Sequence, residues 1–235
     1  MGHDPDSSGP AVPRDDAGAQ LFPRWATLVA RIALVSLLAV PLGLVALLMA
    51  LQYTPYVTGQ TLTPDQPVPF SHEHHVGGLG LDCRYCHTSV EHSRFAGLPP
   101  THTCMTCHSQ LWTNAGVLEP VRRSLAEGRP IRWRRVNALP DYVYFDHSIH
   151  VSKGIGCTSC HGQVSHMPLM RQAAPLTMGW CLDCHRRPEA HLRPEDEVFA
   201  GAWTPPPDQE ERGRRLVRHF LIETEHLTDC SVCHR

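Results

Sequence analysis

One motif, Cys-x-x-Cys-His, constrains this chain more than any other feature, because it occurs five times and uses all ten cysteines. The copies, numbered motif 1 to motif 5 in chain order, are Cys83/Cys86/His87, Cys104/Cys107/His108, Cys157/Cys160/His161, Cys181/Cys184/His185 and Cys230/Cys233/His234. This spacing is typical of covalent c-type haem attachment. The thiols form thioethers to the macrocycle, and the adjacent histidine can bind the iron from one side.

Zinc ribbons and disulfides are the rival interpretations of the motif. A zinc ribbon uses Cys-x-x-Cys pairs but has no need of a histidine after every pair. No cysteine is left outside the motifs for a disulfide. The sequence therefore predicts five covalently attached haem c groups.

Composition bounds the fold class. Aromatic content is low, at 7%, and the chain has 21 prolines and 17 glycines, which is a poor basis for a conventional side-chain core. Large apolar haems can take the place of that core. We expect a multihaem cytochrome c, mainly short α-helices and irregular loops wrapped around haems, with one N-terminal transmembrane helix. The net charge of −2 gives no argument for nucleic acid binding.

An uncharged apolar run at residues 32–51 is long enough to span a bilayer core of roughly 30 Å. A cleaved signal peptide is the alternative, but the run is longer than the usual apolar region of such a peptide and a polar segment precedes it. Arginines at 14, 24 and 31 precede the run, and no Lys or Arg follows it until Arg84. The positive-inside rule thus predicts a single-pass anchor in the bacterial cytoplasmic membrane, with a cytoplasmic N-terminus and a periplasmic haem domain.

The predicted organisation has four parts. Residues 1–24 form a disordered cytoplasmic tail, 25–53 the transmembrane signal anchor, 54–69 a proline-rich tether, and 70–235 the pentahaem domain. Within that domain, residues 70–110 and 145–190 are repeated dihaem units, and 225–235 bind the fifth haem.

The duplication rests on Phe-x-His-x-x-His, which precedes motif 1 and again motif 3. Its histidines, His72/His75 and His147/His150, are our candidates for distal iron ligands, since a spacing of three places both imidazoles on one side of a short helix. For the fifth distal ligand we choose Met178, with Met167, Met170 or another histidine as alternatives. An iron with both axial positions filled transfers electrons and binds no substrate, so we predict no catalytic residue.

Three stretches outside the motifs carry further predictions. Helices are expected at Leu118–Glu127 and Asp208–Ile222, and Ile131–Phe145 has the composition of a strand, interrupted by Pro140. The arginines of residues 122–135 can pair with haem propionates, form a docking face for an acidic partner, or form a solvated face.

The anchor, the five motifs and the segments FSHEHH, LPPTHTCMTCHS, IRWRRVNALPDYVYFDHSIH and LTMGWCLDCHRRPE together resemble the pentahaem ActA-type subunit of alternative complex III. The resemblance covers roughly residues 25–235. It implies a subunit of a membrane-bound quinol:electron-acceptor oxidoreductase. The implied partners are membrane lipid, an iron–sulfur subunit, polytopic quinol-binding subunits and a monohaem cytochrome c.

Two other classes are weighed against this one. A stand-alone membrane-anchored quinol dehydrogenase shares the anchor and the haem density, but its usual form has four haems, and the tether is long for a quinol pocket at the first haem. A pentahaem nitrite reductase needs an open iron, often indicated by a lysine in place of the motif's histidine, whereas all five motifs here end in histidine.

Overall fold

The structure is a computed structural model that describes residues 22–234. Most of the predicted tail at 1–24 lies outside the described residues, so its disorder stays a prediction. The chain divides into two units, one that ends at Leu51 and one that begins at Gln52. The first unit contributes a long helix, and the second contains all five motifs.

Helix α1, Arg24–Gln52, includes the whole apolar run. With 29 residues at about 1.5 Å each, the helix is longer than the roughly 30 Å thickness of a hydrocarbon core. Pro41 lies inside the helix, and none of the helix side chains is buried. Within residues 22–234, α1 is the one helix that is both long and apolar enough to cross a membrane, by length and composition.

The second unit consists of short helices joined by irregular loops. Its α-helices are α2 (Pro55–Thr58), α3 (Cys83–Cys86), α4 (Thr101–His108), α5 (Glu119–Glu127), α6 (His147–Ser152), α7 (Cys157–His161), α8 (Met178–Arg186), α9 (Gln209–His219) and α10 (Cys230–Cys233). A π-helical turn spans Glu73–Gly78, and 3-10 turns span Gly116–Leu118, Val164–His166, Pro188–Ala190, Glu195–Glu197 and Thr224–His226. The part of the chain that the structure describes contains no named β-strand, only an isolated bridge between Ile155 and Leu192.

Both helices predicted outside the motifs are present. The expected helix at Leu118–Glu127 is α5 together with the 3-10 turn before it, and it ends at Gly128, whose φ of 62° suits glycine. The expected helix at Asp208–Ile222 is α9, shortened to Gln209–His219. Acidic residues in the first turn of α9 and basic residues in its last turn complement the helix dipole.

The prediction of a strand at Ile131–Phe145 is wrong, since this segment forms no strand in the structure. The N–H of Arg134 donates to Gln66 Oε1 at 2.9 Å, and its carbonyl accepts from Gln66 Nε2 at 2.9 Å. A neighbouring strand would have bonded to these same backbone groups. Pro140 also has no N–H to offer to a ladder.

The predicted tether at 54–69 is hydrogen-bonded to the rest of the second unit. The N–H of Thr61 donates to the carbonyl of Gln172 at 2.8 Å, and Gln60 Nε2 donates to the carbonyl of Ala173 at 2.8 Å. Farther along, Val68 is buried in a small cluster with Leu118 and Val121. These contacts attach the segment to the haem-binding part of the chain along most of its length.

Helix α9 packs closely on the Pro188–Ala190 turn at Gly213. A Cβ added at Gly213 would collide with the backbone of Glu189, which cannot move aside as a flexible side chain could. We expect Gly213→Ala to lower the free energy of unfolding by about 3 kcal/mol. Gly116→Ala is the matched control, since a Cβ there meets no atom within 4 Å. Denaturant unfolding of both variants is the measurement, and equal stabilities would contradict the close packing.

Candidate haem attachment and ligation site

Every motif lies on a short helix, α3, α4, α7, α8 or α10, or at its end. Cysteines three residues apart on a helix share one face, so both thiols of a motif point the same way. Local capping fixes where two of these helices begin. Asp82 Oδ1 accepts from the N–H of Arg84 at 2.8 Å, and Thr177 Oγ1 accepts from the N–H of Trp180 at 3.4 Å.

Four of the five motif histidines have the same kind of hydrogen-bond partner. In four of them Nδ1 lies within hydrogen-bond distance of a backbone carbonyl: His87 with Gly97 at 2.7 Å, His108 with Leu111 at 3.2 Å, His185 with Leu227 at 2.8 Å and His234 with Tyr142 at 3.1 Å. Donation from Nδ1–H leaves the lone pair on Nε2, which is the arrangement that metal-binding histidines commonly adopt.

The two Phe-x-His-x-x-His segments have the same local geometry. The phenylalanine stacks on the second histidine, with ring centroids 4.3 Å apart for Phe70/His75 and 4.5 Å apart for Phe145/His150. It meets the first histidine edge to face, at 4.9 Å for Phe70/His72 and 4.8 Å for Phe145/His147. One sequence pattern therefore produces one arrangement of two imidazoles, although the first copy is π-helical and the second α-helical.

Hydrogen bonds also orient these upstream histidines. Nδ1 lies 2.8 Å from the Ser71 carbonyl in His75, 2.7 Å from the Asp146 carbonyl in His150, and 2.8 Å from the Arg94 carbonyl in His147. The Nδ1 of His72 is buried and has no hydrogen-bond partner among the described residues. Three of the four thus present Nε2, as the motif histidines do.

The structure brings upstream histidines and motif histidines together in pairs, with interplanar angles of 64° for His75/His108, 6° for His147/His161 and 34° for His150/His185. The ring centroids are 6.2 Å apart for His75/His108, 6.3 Å for His147/His161 and 6.2 Å for His150/His185. Two imidazoles that bind one metal ion from opposite sides, with bonds of about 2 Å each, place their centroids about 6 Å apart. The spacing of these rings therefore fits an iron between each pair.

His72 also lies near motif 1, although its ring is not stacked on a motif histidine as the other three are paired. Burial lowers the pKa of His72 to about 4, with a smaller contribution from neighbouring His87. Burial likewise lowers the pKa of His161 to about 4. A neutral imidazole is the form that binds metal, so both histidines are in the protonation state that haem ligation requires.

Contacts between motifs join them in the order 2–1–3–4–5, which we call the motif row. Tyr85 Oη in motif 1 lies 3.0 Å from Thr106 Oγ1 in motif 2. The thiols of Cys83 and Cys157 are neighbours that shift each other's pKa, down for Cys83 and up for Cys157, which links motifs 1 and 3.

Neighbouring thiols also define the second half of the motif row, from motif 3 to motif 5. Burial, followed by the adjacent thiols of motif 4, raises the pKa of Cys160 to about 12. Burial and the neighbouring Cys233 thiol raise the pKa of Cys181, which links motif 4 to motif 5. The first dihaem unit thus supplies motifs 2 and 1, and the second supplies motifs 3 and 4. Motifs 1 and 3 meet where the two units join, and motif 5 ends the row.

The two ends of the motif row each have an exposed cysteine. Cys107 in motif 2 and Cys230 in motif 5 are exposed, whereas the other eight motif cysteines are half-buried. The segment after Cys107, residues 109–114, is also exposed. Cys107 lies three residues after Cys104 on α4, so the pair keeps the spacing for haem attachment. Attachment at all ten motif cysteines stays a prediction.

The methionine candidates lie in different places. Met178 is exposed and begins α8, one turn before Cys181, so it lies on the side of α8 that carries the neighbour of motif 5. Met167 is 1% exposed, and its methyl group lies beside Gly162, directly after motif 3. Met167 thus packs beside motif 3, and Met178 stays a candidate for the fifth distal ligand.

Two residues beside motif 3 were not singled out from the sequence. Asn137 lies 3.1 Å from His161 Nδ1. Arg193 is 1% exposed and donates to Thr158 Oγ1 at 2.6 Å, with its guanidinium 4.0 Å from the Trp203 ring centroid. Neither belongs to a recognisable motif, and a buried arginine in a loop has no sequence pattern of its own.

Five of the six arginines of residues 122–135 divide into two groups, and the sixth, Arg129, pairs with Glu127 at 3.9 Å. Arg122 donates to the carbonyls of Thr113 and Ala115 at 3.0 Å, and Arg123 pairs with Glu119 at 3.3 Å, so these two support the fold around α5. The side chains of the arginines at 132, 134 and 135 are exposed. The alternatives of propionate binding and partner docking both stay open for this second group.

Residues 143–235 match the family described as cytochrome c7 and related cytochrome c, and motifs 3, 4 and 5 lie inside the match. A relative is the multihaem cytochrome c subunit of menaquinone reductase from Nitratidesulfovibrio vulgaris (strain Hildenborough). It is 37% identical over 98 residues, which are 41% of this chain and 46% of the relative. The similarity therefore spans less than half the length of that protein.

The family match and the helix-and-loop architecture give this chain the fold of a multihaem cytochrome c with an N-terminal apolar helix, as predicted. The cofactor implied by the match is covalently bound haem c. The residues fit that cofactor, since the paired thiols share a helix face and pairs of oriented imidazoles lie at a suitable spacing.

Proposed function

We propose that this chain is the pentahaem electron-transfer subunit of a membrane-bound quinol oxidoreductase of the alternative complex III type. Helix α1 anchors it in the bacterial cytoplasmic membrane, with the N-terminus in the cytoplasm and the motifs in the periplasm. The chain relays electrons from an iron–sulfur and quinol-oxidising module to a cytochrome c or another periplasmic acceptor. It performs no substrate chemistry itself.

The observation that most supports a relay is the set of imidazole pairs. His72, His75, His147 and His150 supply the second ligands for motifs 1, 2, 3 and 4 respectively, and Met178 supplies the second ligand for motif 5. Each haem, when bound, contributes an iron that takes up and releases one electron. With a protein ligand on each side, the iron would be closed to substrates, which would leave electron transfer as its role.

The order of the motif row supports a path along the chain. Motifs that are far apart in sequence, such as 1 and 3, have neighbouring thiols, so each motif has a neighbour in the row. Motifs 2 and 5 are the two ends of the row, and their exposed thiols, Cys107 and Cys230, favour these ends for electron exchange with partners. The relative is named as part of a menaquinone reductase, which supports a quinone-linked complex for this chain.

The full-length chain purified from membranes tests this function. We expect its mass to show five haems and its spectra to show low-spin iron throughout. A menaquinol analogue should leave the single chain oxidised, and should reduce it rapidly within the isolated complex. If the single chain oxidises quinol unaided, the stand-alone dehydrogenase replaces the relay. A high-spin haem that binds cyanide or nitrite would contradict full ligation.

A further inference from the structure

His161 differs from the other motif histidines in what its Nδ1 contacts. The other four lie against backbone carbonyls, whereas the Nδ1 of His161 lies 3.1 Å from the side-chain amide of Asn137. Asn137 belongs to the segment between the two dihaem units, 24 residues before His161. At motif 3 a side chain therefore occupies the place that a backbone carbonyl has at the other motifs. Unlike the carbonyl, this side chain can be changed by substitution.

The amide of Asn137 has two possible orientations, and they have opposite consequences. When Nδ2 faces His161, the imidazole nitrogen must accept, so its proton sits on Nε2, and Asn137 Oδ1 is buried without a partner among the described residues. When the amide is rotated by 180°, Oδ1 accepts from Nδ1–H. The rotation costs no space, because the two ends of an amide have nearly the same size.

The second orientation suits iron ligation better than the first. Oδ1 then accepts from Nδ1–H, and Nδ2 takes the former place of the oxygen. The Nε2 of His161 keeps its lone pair, as ligation requires, and the His147 ring lies 6.3 Å away, parallel to that of His161 within 6°. His161 then has the same tautomer as the other motif histidines.

We propose that Asn137 is a positioning residue for motif 3: its Oδ1 accepts a hydrogen bond from His161 Nδ1–H, and so sets the tautomer, the orientation and the donor strength of that imidazole. The proposal rests on the proposed function, because it takes His161 as an iron ligand. A hydrogen bond to the far nitrogen makes a ligating imidazole a stronger donor, which stabilises the oxidised iron. Asn137 therefore holds the potential of one haem down.

The position of motif 3 gives this hydrogen bond a role in the relay. Motif 3 lies at the centre of the motif row, between motif 1 and motif 4. The potential of a central haem determines how readily electrons pass between the two dihaem units. Asn137 lies in the segment that joins those units. The potential of the central haem therefore depends on a residue of that segment.

The experiment is a redox titration of the full-length chain with two substitutions at one position. Asn137→Leu removes the acceptor, and we expect it to raise one of the five potentials. Asn137→Asp provides a stronger, anionic acceptor, and we expect it to lower the potential of the same haem. Asn114→Leu and Asn114→Asp are the matched controls, because Asn114 is the other asparagine of the chain and its side chain is exposed. The controls should leave all five potentials unchanged.

Spectroscopy separates positioning from a merely structural role. In both Asn137 variants, one low-spin electron paramagnetic resonance component should change its g-values while the haem count stays the same. Shifts in the same direction for Leu and Asp, no shift in either, or loss of a haem in both would overturn the proposal. If the unaltered chain itself lacks five low-spin haems, the proposed function fails instead, so the two failures are distinguishable.

Discussion

Replacing Cys157 and Cys160 by alanine is expected to divide the relay into two halves. The haem of motif 3 is then no longer attached, and the mass of the chain should fall by one haem. Motif 3 neighbours motif 1 at the Cys83 thiol, and its own Cys160 thiol neighbours motif 4. Without it, motifs 1 and 2 have no neighbour in the motif row that leads to motifs 4 and 5. Within the isolated complex, quinol should rapidly reduce only two of the four remaining haems.

Cys230→Ala/Cys233→Ala is the matched control, since it also removes one haem but takes it from the end of the motif row. Motifs 2, 1, 3 and 4 stay contiguous, so all four remaining haems should be reduced rapidly if electrons enter at motif 2. Stopped-flow reduction at the haem absorption bands measures both variants. Rapid reduction of all four haems in Cys157→Ala/Cys160→Ala would contradict the order of the row. The variant also identifies the end at which electrons enter, because that pair is the one reduced.

The local parts of this molecule could be predicted from the sequence because they depend on short spacings. The Phe-x-His-x-x-His pattern determines how one phenylalanine packs on two imidazoles, and both copies have the same ring geometry. Helix α9 was predictable from its charged ends, and α1 from its uninterrupted apolar run. In each case the controlling interactions join residues only a few positions apart.

The remaining features depend on contacts between distant parts of the chain. The order of the motif row places Cys83 against Cys157, and no spacing in the sequence indicates that contact. The exposure of Cys107 likewise could not be read from its motif, since all five motifs have the same spacing. The segment at 131–145 was misread because its composition favours a strand, while strand formation needs a pairing partner that the Gln66 side chain replaces. Asn137 was missed because a single residue acquires its role only from its neighbours in the fold.

His75→Ala should convert one haem from low-spin to high-spin iron. The His75 ring faces His108 at 6.2 Å, and its own Nδ1 is held by the carbonyl of Ser71, so its Nε2 is directed at motif 2. Alanine removes that second imidazole and leaves His108 as the single protein ligand of the iron. An open position then binds external ligands. We expect cyanide or added imidazole to bind one haem in five, and added imidazole to restore the low-spin spectrum.

His74→Ala is the control that makes this result specific, because it removes the neighbouring imidazole. The His74 ring stacks near Trp112, with centroids 6.0 Å apart, rather than facing a motif histidine. Its removal should leave five low-spin haems and no cyanide binding. High-spin iron in both variants would mean that the π-helical turn at Glu73–Gly78, and not one ligand, had been disturbed. Low-spin iron in His75→Ala would remove His75 from the ligand set, and with it the equivalence of the two dihaem units.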